Sequence, residues 1–121
     1  MMTCKDTSNT GTGSITGWKY VKSGSGNALK NAVLEGPVSV AVDASSNAFN
    51  FYATGVVTTP TCGTKLDHAI LAVGYGTENG IDYFLVKNQW TDLWGDEGYI
   101  KIGASDDNIC GILTVPTWVE V

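Results

Sequence analysis

Arginine is absent from the 121 residues: all seven cations are lysines, set against twelve carboxylates, for a formal charge of −5. A chain this acidic, lacking the side chain best suited to fork onto phosphate, is not built to hold nucleic acid. No apolar run approaches the roughly 20 residues that span a bilayer, so no membrane partner is expected either. The opening MMTCKDTSNTGTG has no apolar core and reads as neither a signal peptide nor a natural domain start; residues 1–13 are expected to be a polar loop left from a preceding domain. Cysteines are few. Cys4, Cys62 and Cys110 include no CxxC pair, which argues against a zinc site built with the single histidine, and no metal or other cofactor is expected. Two of the three can form one disulfide, which points to an oxidising compartment and leaves the third without a partner in this chain.

What is present is a globular composition, 43% hydrophobic, long enough for one core. Residues 15–21 (ITGWKYV) have strand-like content, and KSGSG then breaks the chain. Residues 27–35 place Ala28, Leu29, Ala32 and Val33 on one helical stripe, with Ser25 or Asn27 available as N-cap and Gly36-Pro37 as the stop. Residues 38–44 alternate as a strand with Val38, Val40 and Val42 on one face, and residues 46–53 are too short for more than a turn of helix. Two long apolar strands, 66–75 and 81–87, flank Asn79-Gly80, a strong hairpin signal. Strands at 98–102 and 117–121 complete an α+β domain over residues 14–121, mainly antiparallel β with one clear helix. Gly74 and Gly76 do not make a dinucleotide loop, because Asn79 stands where the third glycine belongs.

His68 opens the first hairpin strand, at a sheet end, where sites are built on rigid scaffolds. Two readings of it stand. It is either a half-buried histidine satisfied by a backbone group, or one half of a catalytic pair. The second reading draws on the return strand, which ends in Lys87-Asn88-Gln89-Trp90; a hairpin folded at Asn79-Gly80 brings Asn88 back near His68. An amide oxygen beside an imidazole accepts its N–H and fixes the tautomer, the orienting role in a nucleophile–base–orienter triad. Trp90 would shield that bond from water.

GPVSVAVDAS at 36–45, Cys62-Gly63, LDHAILAVGYG at 66–76, Asn88 to Trp90, WGDEGYIKI at 94–102 and ICGI at 109–112 occur in the order and at about the spacing of the papain-like cysteine peptidases. From about Thr3 to the C-terminus the chain resembles that family, and is most similar to its cathepsin L-like members. The resemblance implies the open, barrel-like, β-rich right-hand domain of a two-domain fold, with a cleft against a helical left-hand domain. It implies His68 as general base and imidazolium partner, Asn88 as its orienter, Trp90 as the cover of the pair and Trp94 as a wall of the primed side. It also places Ala41, Asp67 and Ala69 in the substrate pocket with Val115 at its base, a small and apolar set with no buried charge to recruit a basic side chain; Val115 reads equally well as an ordinary core residue. Cys62 and Cys110 match a disulfide of this domain, and Cys4 matches a cysteine that pairs within the left-hand domain. Family members are lysosomal, vacuolar or extracellular and act on peptides and proteins.

The family's nucleophile lies in a Cys-Gly-Ser-Cys-Trp stretch, with an oxyanion-hole glutamine a few residues earlier. Neither occurs in these residues. Catalysis needs a thiolate, and His68 with Asn88 has none to activate, so the chain alone is expected to be inactive. The expected partner is the missing left-hand domain or chain, whose absence should leave an open apolar patch near Trp90, Trp94 and Ala41. The competing readings are a non-catalytic peptide-binding or inhibitor-like module derived from the peptidase domain, and a plain structural β domain. Two departures stand inside the motif. Gln89 replaces a small serine, and Thr91 replaces a glycine, which is strained if that position has positive φ.

Overall fold

The computed structural model describes Thr3 and residues 13–121; Cys4 and most of the loop expected over residues 1–13 lie outside the described residues. The described chain forms strand β1 (Gly17–Tyr20), helix α1 (Gly26–Glu35), β2 (Val38–Val42), a single-turn helix α2 (Asn47–Asn50), β3 (Val56–Val57), β4 (His68–Glu78), β5 (Ile81–Lys87), β6 (Tyr99–Gly103) and β7 (Thr117–Glu120). All seven strands join one open sheet in the order β1-β7-β2-β4-β5-β6-β3, antiparallel throughout except for the short β3 beside β6. This is the mainly antiparallel, open architecture that the sequence implies, with α1 as its one substantial helix.

Local chemistry accounts for the main boundaries. Ser25 caps α1, its hydroxyl accepting from the Ala28 N–H at 3.1 Å, and the helix stops before Pro37. Of the stripe expected on α1, Leu29 and Val33 are buried while Ala28 and Ala32 sit half-buried at its margin. In β2 the alternation holds, with Val38, Val40 and Val42 inside and Ser39 and Ala41 facing out. The core between the sheet and α1 and α2 is closed by Phe49, Ile70, Phe84, Ile100 and Ile112. Each such side chain contributes about 1.5–3 kcal/mol by leaving water.

The β4–β5 hairpin turns at Asn79 and Gly80, whose φ values of 51° and 78° give the left-handed pair that a two-residue hairpin turn requires. β4 starts at His68 rather than Leu66 and runs on to Glu78, because its pairing continues to the turn itself. One irregularity interrupts that pairing. The register shifts between Ala72↔Val86 and Gly74↔Leu85, which leaves Val73 as the extra residue of a β-bulge. β3 has no counterpart in the sequence reading. Its two valines carry no alternation, and its existence depends on the parallel edge of β6.

Candidate active site

Residues directly opposite in an antiparallel pair point to the same face. Past the bulge, β4 and β5 pair as Ala72↔Val86 and Leu71↔Lys87, so the continued register sets Asn88 opposite Ile70. Ile70 and its neighbour two residues back, His68, share the inward face. Had Val73 been paired regularly, Asn88 would have stood opposite Leu71, on the outer face. The bulge therefore decides whether the histidine and the asparagine can meet.

They do meet. His68 Nε2 lies 2.8 Å from Asn88 Oδ1. The backbone N–H of Gln89 also donates to Asn88 Oδ1 at 2.8 Å, and a backbone N–H can only donate, which fixes the amide orientation. An acceptor-only oxygen then requires the proton on Nε2, leaving Nδ1 of neutral His68 with its lone pair. Asn88 is 5% exposed and held by its own N–H donating to Gly98 O at 3.0 Å. Its Nδ2 is buried without a hydrogen-bond partner among the described residues. A buried orphan donor costs about 1–3 kcal/mol.

Trp90 stacks on the imidazole, with ring centroids 5.0 Å apart and planes 27° apart. Phe49 meets both rings edge-on, at 6.1 Å from His68 and 5.5 Å from Trp90. This aromatic wall limits water around the His68–Asn88 bond and holds the ring plane of the imidazole against Trp90. Trp94 closes the cluster from behind, 5.0 Å from Phe49, with its indole N–H donating to Asn50 O at 3.1 Å. It is half-buried, while Trp90 stays 36% exposed.

The residues expected in the substrate pocket are partly brought together. Ala41 and Ala69 are a registered pair on the outer face of β2 and β4. Asp67 precedes them, and its carboxylate accepts the Ala44 N–H at 2.8 Å, fastening the approach to His68. Val115 lies two residues before the Ser39↔Thr117 pair, at the same end of the sheet. The cavity of about 380 Å³ that Val115 lines is bounded instead by Tyr20, Val21, Lys22, Ser23 and Thr114.

Three features escaped the sequence reading. Phe49 is one, because a lone aromatic in a short turn carries no periodic signal. Gln89 is another: its Nε2 donates to Ala69 O at 2.8 Å. The third is Asp43, 5% exposed, whose carboxylate accepts from Ser45 Oγ at 2.6 Å, Ser45 N at 3.0 Å and Lys65 N at 3.0 Å. The Ser45 hydroxyl foremost, with those backbone N–H groups and the Lys65 charge, holds the Asp43 carboxyl below the usual carboxylate range despite burial. A depressed pKa contributes stability that is complete above the unfolded value, 3.8, and is lost as pH falls through the folded one. Asp43→Asn should therefore lower the urea midpoint at neutral pH and flatten its fall below about pH 4, read from denaturation series at several pH values. An equally steep acid limb in the variant would show that other carboxylates carry it.

Thr91 has φ 65°, so the residue that replaces glycine sits in the left-handed region. Its Oγ1 accepts from the Leu93 N–H at 3.3 Å, a weak local compensation. A β-branched residue there stores roughly 1–3 kcal/mol. Thr91→Gly should raise stability by about 1 kcal/mol after the cost of a more flexible unfolded chain. Thermal or urea unfolding checks this, and a destabilised variant would mean that the Thr91 hydroxyl outweighs the strain.

Cys62 and Cys110 form a disulfide with Cα atoms 4.8 Å apart, tying the turn before β4 to the turn after β6. Residues 1–119 match the family model described as Papain family cysteine protease. Digestive cysteine proteinase 1 of Homarus americanus is 50% identical over 114 residues, covering 93% of this chain and 35% of that protein. Cysteine proteinase 3 of Dictyostelium discoideum is 47% identical over 116 residues, covering 95% and 34%. Among solved structures, digestive procathepsin L2 proteinase from Tenebrio molitor larval midgut superposes with a TM-score of 0.83 at 45% identity, covering 91% of this chain and 35% of that one. The bromelain protease from Ananas comosus, in complex with the E64 inhibitor, gives 0.82 at 40% identity, covering 88% and 51%. The chain thus spans about a third of the length of these two curated relatives. With the match running almost end to end, the chain belongs to the papain family of cysteine proteases.

Proposed function

We propose that residues 14–121 are the right-hand portion of a papain-like cysteine endopeptidase, with His68 as general base and Asn88 as its orienter. The observation that carries this reading is the 2.8 Å bond from His68 Nε2 to Asn88 Oδ1, which leaves Nδ1 open to take a proton from a thiol. The thiol is not among these residues in any usable place: Cys62 and Cys110 are bonded to each other, and the family's Cys-Gly-Ser-Cys-Trp stretch does not occur. A left-hand half would supply it, together with an oxyanion-hole donor.

The outer face of the sheet supports a docked partner. The registers set Trp18 opposite Val119, Tyr20 opposite Thr117, Thr117 opposite Ser39, Ser39 opposite Leu71 and Ala41 opposite Ala69, one continuous face across β1, β7, β2 and β4. Trp18 is 58% exposed, Tyr20 68%, Val119 38% and Leu71 37%. Exposed apolar side chains also flank the Trp90–Trp94 cluster, where the resemblance implies an open patch: Phe51 is 79% exposed and Leu93 92%. The disulfide suits an oxidising compartment. The small outward side chains of Ala41 and Ala69 suit an apolar substrate residue.

The isolated chain should give no turnover of a fluorogenic peptide. Mixing it with the left-hand half of a cathepsin L-like relative should restore thiol-dependent hydrolysis. Turnover by the pure chain, abolished by alkylating Cys4, would overturn the assignment of the nucleophile. Docking of the left-hand half and peptide binding without any hydrolysis would favour a non-catalytic module.

A further inference from the structure

β5 ends one residue before Asn88, and the reason lies in where the Gln89 N–H goes. In the register that pairs Leu71 with Lys87, Gln89 falls opposite Ala69. A regular ladder would bond the backbone N–H of Gln89 to Ala69 O. Here that N–H donates instead to Asn88 Oδ1, the same oxygen that meets His68 Nε2. The ladder bond is not lost, because the Gln89 side chain reaches back and its Nε2 donates to Ala69 O at 2.8 Å.

We propose that Gln89 is a positioning residue for the His68–Asn88 pair: its side-chain amide replaces the ladder bond that its backbone N–H gives up to Asn88 Oδ1. The substitution has a geometric consequence. Ala69 follows His68 directly and Gln89 follows Asn88 directly, so the Gln89–Ala69 bond clamps the two backbones one residue from the pair. Without it, the strand ends are joined there only by the pair itself, and the last registered backbone pair is Leu71↔Lys87. A serine at this position lacks one methylene and the amide carbon, so its hydroxyl reaches two bonds less far and cannot span to Ala69 O. The inference deepens the assignment of His68 and Asn88 as base and orienter, and it can fail without that assignment failing.

The test reads the pair in the 121-residue chain itself. In ¹⁵N-labelled protein, the His68 Nε2 proton should exchange slowly with water, and the ring should show the Nε2–H tautomer. Gln89→Ala and the near-isosteric Gln89→Glu, which lacks a donor at neutral pH, should each speed that exchange about five- to tenfold, the factor of one net hydrogen bond. Gln89→Lys, which keeps a donor on a long stem, should return the rate to within about twofold of the parent. Backbone amides of Ile70 and Val86, deeper in the same hairpin, should keep their parental exchange rates. Unchanged Nε2 exchange in both the Ala and Glu variants would overturn the proposal. So would Ile70 and Val86 amides accelerating in step with Nε2, since Gln89 would then be supporting the whole sheet. Hydrolysis by the chain joined to a left-hand half is a separate measurement, so a silent enzyme with a clamped imidazole would count against the catalytic assignment alone.

Discussion

His68→Ala should remove at least about a thousandfold of the activity of the chain joined to a left-hand half. Two losses combine. Without a neighbouring imidazolium, the thiol returns toward its ordinary pKa of about 8.5, so only a few per cent is thiolate at neutral pH. The same substitution leaves no group to deliver a proton to the departing amine. Asn88→Ala should cost less, about ten- to a hundredfold, because the amide exchanges no proton and the Trp90 stack still restrains the ring. The check is kcat/KM for parent and both variants at one pH, with docking of the halves confirmed by sedimentation. A His68→Ala enzyme within tenfold of the parent would exclude the histidine as the base. Equal losses in the two variants would mean that Asn88 does more than orient.

The second large effect is on stability. The Cys62–Cys110 bond joins residues 48 apart in sequence, and both cysteines are buried, at 0% and 1% exposure. On the chain-entropy model such a loop contributes about 4 kcal/mol, against a typical total of roughly 5–15 kcal/mol for a domain. The bond also fixes the segment that delivers His68: Asp43 N donates to Cys110 O at 2.7 Å while the Asp43 carboxylate holds Lys65 N. A Cys62→Ala/Cys110→Ala chain, with Cys4 replaced by serine in both proteins compared, should therefore lose most of its stability in urea. Loss of order should be greatest over residues 60–68. Parent and variant unfolding at the same urea concentration would show that the sheet is self-sufficient.

Much of this site was legible because it lies on a hairpin. Asn79-Gly80 marks the turn, β-branched and aromatic residues mark the strands, and the two ends carry the chain's only histidine and an asparagine. What could not be read was the face on which each would lie. Val73 looks like any valine in an apolar strand, and its unpaired state is fixed only by the registers on either side of it, Ala72↔Val86 and Gly74↔Leu85. Asp43 continues the β2 alternation in sequence, and its role depends on the Ser45 and Lys65 N–H groups, brought together only by the folded loop. Gln89 and Thr91 were visible as departures from the family pattern, yet neither the Gln89 reach to Ala69 nor the left-handed φ of Thr91 has any local sequence signal.

The unpaired Val73 also sets how the hairpin tolerates changes in length. β4 carries one residue more than a regular ladder against β5 needs. That residue is slack. A single deletion between Ala69 and Val73 can be absorbed by drawing the slack in, after which the strand pairs regularly and His68 still faces Asn88. A single insertion over the same stretch has no such reserve: unless a second bulge forms, it turns the histidine to the far side of the sheet and leaves every backbone hydrogen bond beyond it intact. Such a chain would fold and pair its cysteines with His68 turned away from Asn88, so lineages of this domain should shorten here more readily than they lengthen.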